Sequence, residues 1–207
     1  MLCSLADCDR SRHMTATPNR NNNLELLEAL HSRSSSPRLT EPGPSAEQLQ
    51  NLFRAASRAA DHALLRPWRF LVIQGEARQR LGELFVKAAL SGQEEISDAR
   101  LEKIRNKPLR APTIIVTISS LREHPKVPEF EQDLSAAAAT QNMLLAAHAQ
   151  NIGAMWRTGS MAYHPVVMEG LGLQEGEKII GFLYLGTKGC PDKPVREVDL
   201  SEFVQEW

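Results

Sequence analysis

Apolar positions recur along the chain at two periods, and the switching between them predicts an order of elements. Leu24, Leu26, Leu27 and Leu30 fall at helical spacing, and the run dissolves into a polar turn at 34–37. Ser45 with Gln48 three residues on has the form of a capping box. Leu49, Leu52, Phe53 and Ala56 follow at i, i+3, i+4 and i+7, which predicts a helix ending near Ala59. Residues 69–75 (RFLVIQG) and 113–119 (TIIVTIS) are β-branched runs of strand length bounded by Pro, Gly or Ser, and both predict buried strands. Between them, 77–91 and 95–106 mix apolar and charged positions at helical spacing and predict two amphipathic helices beside the sheet. Residues 130–150 are Ala-rich, and Leu134, Ala137, Ala138, Gln141, Leu144, Leu145 and His148 give a small or apolar surface nearly all round. That predicts a central helix packed on two sides. Residues 152–158 and 178–187 (KIIGFLYLGT) complete a set of four strand candidates separated by helices, with no internal repeat. The stretch 198–207 keeps Phe203, Val204 and Trp207, more apolar surface than a free tail needs, so it is expected to dock, with a second subunit as a candidate surface.

Composition narrows the classes. A chain of 207 residues suits one domain, expected over 23–207, behind a polar leader at 1–22 expected to stay mobile. A formal net charge of -1 offers no basic excess for a nucleic-acid backbone. No run reaches the roughly 18 apolar residues of a membrane helix, and a cytoplasmic setting is expected. Cys3, Cys8 and Cys190 make neither a disulfide framework nor a zinc pattern. His62, His124, His148 and His164 are scattered, so no metal is expected. Gly170, Gly172 and Gly176 miss the dinucleotide-loop spacing, and no G-x-S-x-G elbow is present.

Three polar clusters stand at the ends of apolar elements, where a rigid scaffold meets ligands. Arg33, Ser34 and Ser35 combine a guanidinium with hydroxyls, a set suited to phosphate oxygens or equally to a solvated helix end. Arg58, Asp61 and His62 precede Pro67, Trp68 and Arg69; a surface ion pair with a loop histidine is the plain alternative. Trp156, Arg157, Thr158 and Gly159 end a strand. The glycine there lets a flat ligand approach, and the Arg needs an anionic partner or a path to solvent.

In order and interval these segments resemble the nitroreductase family. The likeness runs from about Leu24 to Trp207. It rests on R-S-S at 33–35 followed by Arg38, Leu39, Glu41 and Pro42; R-A-A-D-H at 58–62; P-W-R-F at 67–70; R-A-P at 110–112; H-P-K-V-P-x-x-E-Q at 124–132; A-T-Q-N-M-L-L-A-A at 139–147; W-R-T-G at 156–159; and G-F-L-Y-L-G-T at 181–187. The resemblance implies an α+β fold, a central sheet flanked by helices in an intertwined homodimer, with FMN in two interfacial clefts. It implies Arg33, Ser34 and Ser35 at the FMN phosphate, Arg58 and His62 around the flavin from one chain or its partner, and Trp156, Arg157 and Thr158 bordering the ring. It associates Ala146, Ala147, His148, Ala149, Gln150 and Asn151 with the nicotinamide. The implied activity passes hydride from NADH or NADPH through flavin N5 to an organic acceptor such as a nitroaromatic or quinone, by ping-pong turnover and without a catalytic side chain. The alternative is an FMN reservoir, sensor or partner protein with little turnover. The chain departs from the family pattern at Ser34, where a second Arg is usual, at Arg66, where Gln precedes P-W, and at Ala63 and Leu64, which replace polar positions. These changes thin the polar contacts available to the flavin edge.

Overall fold

The structure, a computed structural model, describes residues 26–92, 95–192 and 194–207. The predicted leader and Leu24 lie outside the described residues.

The architecture is α+β: an antiparallel sheet between two helical layers. Strand β3 (Thr113–Ser119) is buried at every position, with β2 (Trp68–Gln74) on one side and β5 (Lys178–Lys188) on the other. β5 also pairs along its far edge with β4 (Gly153–Arg157), and its last two residues meet the short β1 (Leu39–Thr40). Because side chains alternate across a strand, β3 sends Ile114, Val116 and Ile118 to one face and Ile115 to the other. β5 divides likewise, with Phe182 and Tyr184 on one face and Leu183 and Leu185 on the opposite one.

The first face is covered by α3 (Ala77–Leu90), α4 (Asp98–Arg105) and α6 (Pro165–Gly170) through Leu81, Phe85, Ile104 and Val167. Here α3 and α4 approach so closely that a Cβ on Gly82 would overlap the Arg105 carbonyl oxygen. The second face is covered by α2 (Ala46–Ala56) and α5 (Glu129–Ala149) through Leu52, Ala56, Met143 and Ala147. The capping box is formed: Gln48 N donates to Ser45 Oγ at 3.2 Å and Ser45 N to Gln48 Oε1 at 2.9 Å.

Two expectations need correction. Residues 69–75 are not a buried strand. β2 pairs only with β3, so of its seven residues Ile73 alone is buried. The helix that follows Ser45 stops at Ala56, three residues early, because the chain turns over Ser57 and Arg58. α5 is packed on two sides as expected, on the sheet through Ala139 and Met143 and along α2, where Asn142 Nδ2 donates to the Ala55 carbonyl at 3.1 Å, while Phe130 and Leu134 near its start remain exposed. The stretch 198–207 is exposed throughout, including Phe203, Val204 and Trp207. The apolar stripe of α1 (Leu26–Ser32) also faces outward, with only Ala29 buried.

One half-buried ion pair pins the first face. Arg69 on β2 donates from Nε to Glu177 Oε1 at 2.7 Å and from Nη2 to the Gly172 carbonyl at 3.0 Å, and Gln174 N donates to the same carboxylate. The Arg69 guanidinium holds the Glu177 carboxyl at about 2, well below its ordinary value. The three glycines near 170 therefore serve the α6–β5 connection, where Gly172 and Gly176 supply positive φ for turns.

Candidate functional site

Two clusters more than a hundred residues apart in sequence meet at β4. β4 pairs with β5 on one side, and the opposite edge receives the loop after α1: Ser36 N donates to the Ala154 carbonyl at 2.9 Å. That bond lays Arg33, Ser34 and Ser35 beside the strand that ends in Trp156 and Arg157. Register then places Met155 and Arg157 on the same face as Phe182 and Tyr184.

Between them opens a cavity of about 460 Å³. Its lining brings together Ser35, Trp156, Arg157, Thr158 and Gly159 with Phe85, Phe182 and Tyr184, and adds Lys107 and Arg110. Among the described residues it contains three cations and no carboxylate. The Arg157 guanidinium sits 5.5 Å from the centroid of the Tyr184 ring. Burial pushes the Tyr184 hydroxyl above its ordinary value, against the opposing charges of Arg157 and Arg110. Gly159, at φ 92°, turns the chain out of β4 in a conformation that a side chain would strain. Trp156 is fixed from behind: its Nε1 donates to the Ile180 carbonyl at 3.3 Å, and its indole lies over Gly181, where a Cβ would overlap it.

Two buried side-chain polar atoms among the described residues have no partner, Ser34 Oγ and Arg157 Nε. Buried polar groups are nearly always satisfied, and leaving one unpaired costs about 1–3 kcal/mol. Both orphans belong to the clusters that meet at β4. A ligand with anionic or acceptor oxygens would satisfy them.

Arg58 and His62 are not brought to this cavity within the chain. Arg58 lines an apolar groove of about 600 Å³ on the α2/α5 face, with Leu145, Ala146, Ala149 and Gln150. His62 Nδ1 lies 2.8 Å from Glu131 Oε2 at an exposed position. The loop between them and β2 is strained: Ala63, Leu64 and Arg66 all have left-handed φ, held by Arg66 N donating to Asp61 Oδ2 at 2.7 Å.

The segment associated with the nicotinamide divides by side. Ala146, Ala149 and Gln150 face the groove, and Ala147 is fully buried against the sheet. His148 Nε2 lies 3.0 Å from Ser32 Oγ, and Asn151 takes a left-handed turn into β4. Burial first, then the charges of Lys188 and Arg33, holds the His148 imidazole below its ordinary value, with Asp192 opposing. Lys188, a cation the sequence did not single out, thus acts on His148 as Arg33 does, and its Nζ is paired with Asp192 Oδ2 at 2.6 Å. Lys107 was likewise missed, and Arg110 was noticed only as part of R-A-P. Their helical spacing, three residues apart and just before a buried strand, was the available signal.

No group of three or more His, Cys, Asp or Glu suited to a metal occurs among the described residues. None of the described helices is long and apolar enough to cross a membrane.

An α+β protein with a carboxylate-free, aromatic-walled cleft at the end of an edge strand is the class this fold and site define. The nitroreductase family model matches residues 31–187, and the chain belongs to the nitroreductase family. It is 45% identical to the Escherichia coli (strain K12) protein "Putative NAD(P)H nitroreductase YdjA" over 79% of this chain and 88% of that one. Among solved structures it is similar to the nitroreductase-like family protein of Bacillus cereus, with TM-score 0.78 and 24% identity over 89% of this chain and 96% of that one. It is also similar to a nitroreductase with bound FMN from Bacteroides fragilis NCTC 9343, with TM-score 0.66 and 22% identity over 89% of this chain and all of that one.

Proposed function

We propose that this chain is an FMN-dependent NAD(P)H oxidoreductase working as a homodimer. The observation that carries the reading is the pair of buried, unpartnered groups, Ser34 Oγ and Arg157 Nε, on the two segments that meet at the β4 cavity. FMN has what they lack: a phosphate dianion for hydroxyls and guanidinium groups, and a flat ring system with acceptor edges. When bound, FMN would supply two-electron redox chemistry between NADH or NADPH and an organic acceptor such as a nitroaromatic or quinone, so the protein would need no acid or nucleophile of its own.

The chain's residues supply binding and electrostatics. Arg33, Ser34 and Ser35 would hold the phosphate. Trp156, Arg157 and Thr158 would border the ring, and Gly159 keeps that border free of a side chain. The Gly181 contact and the Ile180 hydrogen bond fix Trp156 and so the position of the border. Arg58 and His62, on the other face, would reach a partner's cleft, and the apolar groove beside Arg58 with the exposed faces of α1 and α5 would be covered by the second subunit. Ala146, Ala149 and Gln150 line that same groove, which supports their proximity to a shared site.

The test is spectroscopic. Protein reconstituted with FMN should show flavin absorption that bleaches anaerobically under NADPH and returns on adding a nitroarene. Ser34→Ala and Arg157→Ala should each weaken FMN binding about tenfold or more, the scale of one lost charge-assisted or buried hydrogen bond. A protein that takes up no flavin overturns the reading, and one that binds flavin but stays yellow under NADPH is a flavin carrier or sensor.

A further inference from the structure

The cavity at β4 does not end at the residues that would border FMN. Lys107, Ser160 and Met161 also line a second cavity, of about 790 Å³, which continues along α4 and adds Arg100, Lys103 and His164. Asn106 and Lys107 keep helical backbone angles past the end of α4. Arg100, Lys103 and Lys107 therefore fall at i, i+3 and i+7 on one face, a row about 10 Å long at the helical rise. Arg110 extends it into the first cavity.

This row is not an ordinary mixed helix surface. α4 sorts its charges by side: Glu102 and Arg105 form a network with Glu83 and Asn106 on the flank toward α3. Among the described residues, the lining of the second cavity contains no Asp or Glu. None of Arg100, Lys103, Lys107 and Arg110 lies within ion-pair distance of a carboxylate among the described residues. A chain with formal net charge -1 thus gathers four cations along one track leading to its candidate site.

We propose that this cationic track seats the phosphate-bearing half of the nicotinamide donor, and that it selects NADPH over NADH through the additional 2′-phosphate. The inference rests on the oxidoreductase reading above and specifies its donor. A donor whose nicotinamide reaches the β4 cavity must lay its pyrophosphate and adenosine outside it, and the second cavity is the continuous route. Lys107 stands at the junction, where it meets the pyrophosphate. Arg100 and Lys103 lie further out and line only the second cavity, so they meet the 2′-phosphate without touching the flavin end.

The experiment compares the FMN-loaded wild type with Arg100→Gln/Lys103→Gln and with Arg80→Gln, an exposed α3 cation that lines neither cavity. The wild type should show kcat/KM at least tenfold higher for NADPH than for NADH. The double variant should lose about tenfold on NADPH, nearly all of it in KM, with NADH kinetics and FMN affinity unchanged. Arg80→Gln should behave as wild type. Adenosine 2′,5′-bisphosphate, titrated calorimetrically into the same proteins with and without FMN, should bind the wild type and lose about tenfold in the double variant. Equal use of NADH and NADPH, an equal loss on both, or a loss confined to an anionic acceptor such as nitrobenzoate overturns the proposal. Because the bisphosphate titration needs no flavin, it separates failure of the track from failure of the FMN reading.

Discussion

On the face covered by α3, α4 and α6, polar groups converge on a cavity: three cations, a buried guanidinium nitrogen with no partner and a tyrosine ring under Arg157. On the face covered by α2 and α5, the outer surface is apolar. Leu26, Leu27, Phe130 and Leu134 are exposed, and the groove beside Arg58 is lined mainly by aliphatic side chains. In the function proposed above, the first face would take the ligand and the second the partner subunit. The same sheet supports both because β3 and β5 supply a closed apolar core on each side, so the unfinished surfaces cost the fold little. On that proposal the site would be split, with the cavity on one face of a chain and Arg58 and His62 on the other.

The sharpest break of that comparison is complementation. Arg58→Ala and Arg157→Ala homodimers should each lose most reductase activity. Unfolding and refolding them together should restore about one quarter of wild-type activity, because a two-fold mixed dimer contains one site with both residues intact. No recovery would mean that both residues serve one chain's site. A smaller effect tests the anchoring of the cavity face. The Glu177 carboxyl is held at about 2 by Arg69, so its contribution is complete above the ordinary carboxylate value near 4.5 and is lost as pH falls toward 2. Urea unfolding at pH 5 and at pH 2.5 should show the wild type losing about 1–2 kcal/mol more than Glu177→Gln, allowing for solvent around Arg69. Equal losses would remove the ion pair from the account. The smallest effect belongs to the other face: Ser45→Ala should lower stability by about 1 kcal/mol in the same assay with no change in FMN binding. An unchanged urea midpoint would show α2 held by packing alone.

Legibility in the sequence followed how local each signal was. The β-branched run at 113–119 gave β3 to the residue, and the Ser45/Gln48 pair gave the start of α2. β2 has equally good strand residues, but its burial depends on what pairs beyond it, which composition does not encode. The two-residue β1 and the six-residue α6 are too short for a period to register. At the site, Arg33, Ser34, Ser35, Trp156, Arg157 and Thr158 were readable as separate clusters and through a family resemblance. Their meeting was not, since it depends on the bond from Ser36 to Ala154 across the sheet edge. Lys107 and Arg110 were visible only as charges near a strand, because their role comes from the wall that faces them.

β5 has a kinetic meaning as well. It is the last strand in chain order, yet it contacts β1, β3 and β4, so three of the four strand pairings close only when residues 178–188 are available. During synthesis the β2–β3 pairing can form alone, but the strip that becomes the middle of the sheet has to wait. Until then β3 presents an apolar edge to its surroundings. Folding of this domain should be slow for its size, as expected where closure depends on distant segments, and the cleft around Trp156 should be among the last features to form.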